Sequence, residues 1–184
     1  MAAVEAMLAD LARWTGEERA DEAARSRMRE RWLRRQAEED ARFAGVLLDL
    51  SEAGAGVAVR TTGGRTVHGQ VVAVAKDFCV VRHAGMATLL AFSAVATVRP
   101  EPGSRAGEAA SGRAAPVAAT LVEALAGLAG DRPRVRVVLD AGGDAVAGEL
   151  RSVGADVVTL RLDGGTDSPL YLPLAAVREL TLLG

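Results

Sequence analysis

Residues 57–82 read VAVRTTGGRTVHGQVVAVAKDFCVVR, and this stretch decides the fold class because short apolar runs alternate with turn residues. The Gly63-Gly64 pair is typical of a hairpin turn, since paired glycines adopt the positive φ angles that such turns need. Gly69 falls in the middle of the next apolar run, where glycine permits a sharp bend. The stretch therefore predicts short, bent antiparallel strands.

The same pattern returns 79 residues further along, where residues 136–161 read RVVLDAGGDAVAGELRSVGADVVTLR. The glycine pair, the mid-strand glycine and Asp77 of the first copy fall on Gly142-Gly143, Gly148 and Asp156. A helical segment and five strand-like runs make up each copy, and a small barrel would leave no strand edge exposed. The predicted strands are Val57–Arg60, Val67–Val74, Phe78–Arg82, Thr88–Phe92 and Val95–Val98, then Val135–Leu139, Val146–Val153, Val157–Leu162, Leu170–Leu174 and Val177–Leu182.

Composition divides the chain into four segments. Residues 1–44 are rich in Ala, Arg and Glu and predict a charged helical arm, interrupted at Gly16. Residues 45–100 form the first barrel with its leading helix, and residues 117–184 form the second in the same way. Residues 101–116 are rich in Gly, Ala and Ser with two Pro, which predicts a flexible linker.

A family resemblance is carried by Gly64, Gly69-Gln70, Asp77 and the ending VATVRP at residues 95–100. These motifs resemble the Sm-like superfamily and, more narrowly, bacterial host factor Q. The resemblance implies a mainly β protein in which an N-terminal α-helical arm precedes two small five-stranded Sm-like barrels of SH3 type. Each barrel would follow its own helix, and the second copy matches the pattern more loosely.

The resemblance also implies RNA binding through a Lys-His or Arg-Gly pair at the entry to the last strand. This chain has Phe92-Ser93 and Leu174-Ala175 at those places, so the RNA-contacting residues are missing from both copies. Members of the family build rings of six or seven barrels. Two barrels per chain therefore leave open a trimer with six barrels, a closed dimer or a monomer.

Charge argues against a general polyanion binder, because the net charge is −2 and aromatic residues make up only 3% of the chain. The small net charge results from a cancellation. Residues 45–100 have 5 basic and 3 acidic groups, whereas residues 117–184 have 6 basic and 9 acidic groups. Opposite signs favour docking of the two barrels or of neighbouring chains, although surface charges contribute little individually.

Basic side chains in the first half of the chain still allow local contact with phosphate. The run at residues 25–35 has six arginines, flanked by acidic residues that favour a solvated, self-paired helix instead. The candidate nucleic-acid contacts are Arg27, Arg31, Arg34 and Arg35 on the arm and Arg60, Arg65, Lys76 and Arg82 in the first barrel.

A catalytic or metal-binding constellation is not evident in the sequence. His68 and His83 lack a second-ligand motif, so neither a metal nor a cofactor is expected. Cys79, the sole cysteine, aligns with Val158 and is predicted to be an inert core thiol. Exposed aromatic and apolar residues on charged helices often mark a docking face, and packing onto the chain's own barrel is an equal alternative. The candidates for partner docking are Trp14, Met28, Trp32 and Phe43.

These observations predict a non-enzymatic assembly or adaptor protein that acts through protein–protein contacts, by self-association or with another protein. The alternative is a nucleic-acid-binding regulator that uses the Arg-rich helix and the basic first barrel. An enzyme of unknown type is the weakest reading. The longest uncharged stretch, residues 84–98, is too short to cross a membrane, and the cytoplasm is the expected location.

Overall fold

The computed structural model describes residues 2–104, 112–140, 144–164 and 168–183, with side chains from Arg19 onward except at positions 20 and 21. The chain divides into two compact units, residues 1–40 and residues 41–184. Both predicted barrel regions fall within the second unit. In the described part of the chain, none of the helices has the length and apolarity needed to cross a membrane.

The first unit is one helix, α1 (Ala2–Glu39), which continues through Gly16. The predicted interruption at this glycine is wrong, because one glycine costs only about 1 kcal/mol within a run of Ala, Glu and Arg. Met28, Trp32 and Leu33 are exposed along this helix. Among the described side chains of this helix they form no apolar face wide enough to bury, and its strong helix formers favour the helical backbone.

The second unit contains the predicted strands and two further helices. Helices α2 (Phe43–Glu52) and α3 (Leu121–Ala129) each lead into five strands. The strands are β1 (Gly56–Thr61), β2 (Thr66–Val74), β3 (Phe78–His83), β4 (Met86–Ala91) and β5 (Val95–Pro100), then β6 (Arg134–Leu139), β7 (Ala145–Val153), β8 (Val157–Leu162), β9 (Pro169–Pro173) and β10 (Val177–Leu183). The mainly β class and all ten strands are confirmed, with ends shifted by at most two residues.

All ten strands belong to one open antiparallel sheet in the order β5-β1-β2-β3-β4-β10-β6-β7-β8-β9. The prediction of two closed five-stranded barrels is therefore wrong. Strand β4 pairs with β10 of the other half, so it does not close onto β5 of its own half. The edges of β4 and β10 pair with each other across the two halves. Strands β5 and β9 remain as the two outer edges of the sheet.

The two halves repeat each other in their backbone hydrogen bonds. The N–H of Thr61 donates to the carbonyl of Arg65, as Leu139 does to Asp144. Because Gly69 and Gly148 occupy the same place in β2 and β7, the second half has one extra residue between Leu139 and Asp144. The offset between the two copies is thus 78 residues before this turn and 79 residues after it.

The mid-strand glycines permit a close approach between neighbouring strands. A Cβ atom on Gly69 would overlap the carbonyl oxygen of Arg82, and one on Gly148 would overlap that of Arg161. Each glycine lies shortly before a bulge, between Val71 and Ala73 in β2 and between 150 and 152 in β7. Bulges bend a strand, so glycine and bulge together curve the sheet at equivalent points.

Two hydrophobic clusters support the sheet, one for each half. The first contains Leu47 and Leu50 of α2 with Cys79, Val81 and other strand residues. The second contains α3 and strands β6 to β10, and it also takes in side chains from β3 and β4. Residues 78–81 of β3 and 89–91 of β4 are thus packed on both faces, which explains why these parts of the strands are apolar throughout.

The linker predicted at residues 101–116 is described at its two ends. Residues 105–111 lie outside the described residues. Near the second end, Arg113 donates hydrogen bonds of 2.7 Å to Asp49 and Glu52 on α2. These bonds lower the pKa of Glu52 below its ordinary value. This end of the segment is therefore attached to the first half by an ion pair.

Candidate functional site

The junction between the two halves is built on the pairing of β4 with β10. Leu89 lies opposite Leu180 in this pair, flanked by Leu90 opposite Glu179 and Thr88 opposite Thr181. The hydroxyls of Thr88 and Thr181 lie 3.0 Å apart and are hydrogen-bonded. Three residue pairs thus define the register in which the halves meet.

An apolar surface on β3 and β4 packs against the second half. We call it the junction face, and it consists of Phe78, Val80, Leu89 and Ala91. Its members belong to or pack against the hydrophobic cluster of the second half, together with Leu121 of α3 and Leu180 of β10. Leu89 is only 5% exposed and Leu180 only 1%. Apolar burial is therefore the main stabilising contribution at the junction.

Asp77 caps a helix of the other half. Its Oδ1 accepts a 2.8 Å hydrogen bond from the N–H of Leu121, the first residue of α3. The bond spans 44 residues, so this carboxylate acts across the junction. Thr120 and Glu123 complete a capping box at the same helix end, and hydrogen bonds from Thr120 lower the pKa of Glu123. A carboxylate here satisfies N–H groups that a helix leaves unpaired.

Charged side chains also cross the junction. Arg65 Nε lies 3.6 Å from Glu179 Oε2, a carboxylate oxygen that accepts no hydrogen bond among the described residues. Glu179 is 2% exposed, so its charge is balanced mainly by this arginine of the other half. Arg178 donates to Ser93 of the first half and to Asp140, and the latter bond lowers the pKa of Asp140.

The two outer edges carry the counterparts of these junction residues. Strand β9 and its neighbour β8 place Val157, Thr159, Tyr171 and Pro173 where the first half has its junction face. We call this second set the open face. Tyr171 is 65% exposed, whereas its counterpart Leu89 is buried.

The other end of the sheet shows the complementary difference. Val95 and Val98 on β5 are half-buried, whereas their counterparts Val177 and Leu180 are buried at the junction. Phe43 begins α2 as Leu121 begins α3, and it is 41% exposed against 8% for Leu121. Phe43 packs edge to face on Phe92, with ring centroids 5.2 Å apart.

The predicted docking residues have different outcomes. Phe43 lies at this open end of the sheet, while Met28 and Trp32 are exposed on α1. The side chain of Trp14 lies outside the described residues. Tyr171 was missed, although the repeat alignment places it on a buried leucine and so marks it as unusual.

In the second unit, the predicted nucleic-acid contacts are distributed over several clefts and strands. Lys76 lines a cleft of about 460 Å³, Arg65 lines one of about 290 Å³, and Arg82 lines a third. Arg65 is also turned toward Glu179. Arg60 is exposed on β1, and exposed arginines on α1 include Arg27, Arg31, Arg34 and Arg35.

The cleft lined by Lys76 contains the positions at which the family's RNA-contact pair is missing. Phe92 and Ser93 line it from the first half, and Leu174 and Ala175 line it from the second. Asp77 and Asp156 lie in the same cleft. Its walls therefore offer one lysine against two carboxylates, which is a poor surface for a phosphate backbone.

Cys79 is buried in the cluster of the first half, which confirms the core-thiol prediction. Burial raises the pKa of its thiol to about 12, so it stays protonated at neutral pH. The described side chains include no group of three or more His, Cys, Asp or Glu residues placed to hold a metal ion. His68 Nδ1 lies 2.8 Å from Glu101 Oε1 on the surface.

Comparison with known proteins finds no family model and no curated protein that matches this chain. The likeness to Sm-like proteins therefore depends on the sequence motifs quoted above, and the functional argument depends on the junction and its exposed counterparts.

Proposed function

We propose that this chain is a non-enzymatic assembly protein with tandem Sm-like halves, which joins copies of itself head to tail. In this arrangement β5 of one copy pairs with β9 of the next. The observation that carries the proposal is the internal junction, where β10 and β4, the counterparts of β5 and β9, already make this pairing within one chain. Because β4 and β10 pair within one chain, we expect their counterparts β9 and β5 to have shapes that can pair between chains.

Exposed apolar side chains at the two ends support this arrangement. Phe43 and Tyr171 are among the few large apolar residues left exposed in the second unit. Their counterparts Leu121 and Leu89 are both buried in the cluster that joins the halves. Head-to-tail pairing would bury Phe43 and Tyr171 in the same way, which stabilises association through apolar area removed from water.

A helix cap supports the proposal independently. The N-terminus of α2 has no side-chain cap within the described chain, whereas α3 is capped by Asp77 from the other half. Asp156, the counterpart of Asp77, is exposed. In a head-to-tail pair it would reach the N–H of Phe43 in the next copy and complete α2 in the same manner.

Two prolines restrict how β9 can be paired. Leu174 donates its N–H to Asp156, so alternation along the strand directs the backbone groups of residues 169, 171 and 173 toward the open edge. Pro169 and Pro173 have no N–H to offer, which leaves Tyr171 as the outward donor of β9. Tyr171 is the counterpart of Leu89, and its partner in this register is Val98. The two prolines thus limit pairing to a short segment around Tyr171 and protect the edge from nonspecific pairing.

The resemblance to Sm-like rings implies the size of the assembly. Three chains supply six halves, so we propose a closed trimer. Heterologous pairing of this kind closes into a ring when the rotation between copies allows it.

Light scattering on purified protein tests the proposal, together with the absorbance ratio of the eluting peak. We expect the mass of three chains for the wild type and of one chain for Tyr171→Asp, which places a charge in the proposed interface. Val72→Asp is the matched control, because Val72 is also an exposed apolar residue but lies on β2. Monomeric wild type, or a Tyr171→Asp variant of unchanged mass, would exclude head-to-tail assembly.

The same measurement tests the alternative of a nucleic-acid-binding regulator. Its support is the group of exposed arginines on α1. Nucleic acid that elutes with the protein at low salt and is lost as the ionic strength rises would favour this alternative.

A further inference from the structure

One charged residue at the internal junction has a counterpart of reversed sign in the second half. Arg65 of the first half faces Glu179 of the second. The backbone hydrogen bond from Thr61 to Arg65 is repeated by the bond from Leu139 to Asp144, so Asp144 is the counterpart of Arg65. A negative group in the second half thus takes the place of a positive group in the first.

The partner strand β5 lacks the carboxylate of β10 and carries a positive charge two residues further along. Glu179 and Thr181 of β10 correspond to Thr97 and Arg99 of β5, because Val98 faces Val59 as Leu180 faces Val137. Thr181 lines the same cleft as Arg65 and Glu179. In a head-to-tail pair Arg99 would therefore line the corresponding cleft together with Asp144. Both side chains are exposed in the single chain.

We propose that Asp144 of one copy forms an ion pair with Arg99 of the next, and that these charges specify which ends of the chain can join. This inference rests on the proposed head-to-tail assembly and concerns its specificity. Joining two β5 ends would leave Arg99 without Asp144, and joining two β9 ends would leave Asp144 without Arg99. The correct pairing alone therefore brings these opposite charges together.

A charge exchange tests the pairing. Asp144→Arg and Arg99→Asp should each weaken association, raising the dissociation constant by about tenfold, because an attraction becomes a repulsion. The double variant Asp144→Arg with Arg99→Asp should restore association to within about twofold, since every junction regains an opposite pair. Sedimentation over a concentration series gives these constants, and the differences should shrink as salt is raised.

Asp131→Arg is the matched control, because it makes the same charge change at an exposed site in the turn after α3. We expect it to leave association unchanged. Thermal unfolding of each variant checks that the exchanged chains remain folded.

The possible results separate the two proposals. A monomeric wild type overturns the assembly itself. An assembled wild type whose Asp144→Arg variant associates normally, or a double variant as weak as the single variants, overturns the charge pairing and leaves the assembly standing.

Discussion

The closed junction at β4 and β10 and the open ends at β5 and β9 are made from equivalent residues in opposite states of exposure. Leu89 is buried and Tyr171 is exposed, although both occupy the same place in their half. Asp77 caps a helix, whereas its counterpart Asp156 is exposed. The comparison teaches that equivalent positions are covered at the junction and left uncovered by the described residues at the open face.

The largest effect is expected at the buried member of the apolar pair. Leu89→Ala should lower the free energy of unfolding by about 2–5 kcal/mol, because it leaves a cavity in the junction. Tyr171→Ala should lower it by under about 1 kcal/mol in the isolated chain, since the side chain packs on little there. Urea unfolding of the double variant Leu89→Ala with Tyr171→Asp is compared with that of Tyr171→Asp alone, so that association does not contribute to the difference. Equal losses at the two positions would contradict the distinction between closed and open faces.

An intermediate effect is expected from Cys79, whose place in the second half is taken by Val158. The thiol has an ordinary pKa near 9.0 and a folded-state pKa of about 12. The protonated thiol therefore makes its whole contribution to stability below pH 9. The free energy of unfolding then falls by about 1.4 kcal/mol per pH unit as the pH rises toward 12. Unfolding measured between pH 8 and about 11 should show this slope. Cys79→Val copies the second half and should show a shallower decline; identical slopes would mean that the thiol is accessible to solvent.

The smallest effect is expected at the helix caps. Asp77→Ala should lower the free energy of unfolding by about 0.5–2 kcal/mol, because the N–H of Leu121 loses its acceptor. Asp156→Ala should leave the isolated chain unchanged and instead raise the dissociation constant of the assembly by about 2- to 30-fold. Chemical unfolding and sedimentation of the two variants separate these results. A loss of stability in Asp156→Ala would show that this carboxylate already has a structural role within its own chain.

Local structure was predictable because each strand carries its own signal. Apolar runs of four to eight residues and turn glycines locate all ten strands, and the repeat follows from the same pattern. Closure was not predictable, since alternation along β4 does not specify whether β5 or β10 will pair with it. A signal for the pairing was nevertheless present. Phe78 and Val80 make β3 apolar on both faces. Their counterparts Val157 and Thr159 make the corresponding face of β8 less apolar.

The contacts of the candidate site were mostly beyond sequence reasoning. Asp77 reaches Leu121, and Arg65 reaches Glu179, only after the two halves have met through apolar packing. Sequence spacing carries no information about such contacts. Phe43 could be predicted because a large apolar residue at the edge of a charged helix is unusual. Tyr171 would have been found by comparing the two copies residue by residue for a loss of burial.

Tethering of the two halves by one chain also determines how an assembly responds to dilution. The linker keeps β4 and β10 at a high effective concentration, so the internal junction does not depend on the amount of protein present. Junctions between chains have no such tether and weaken as protein is diluted. Loss of subunits would therefore release intact pairs of halves and never a single half. Any closed ring of this protein contains an even number of halves, with tethered and dissociable junctions alternating around it.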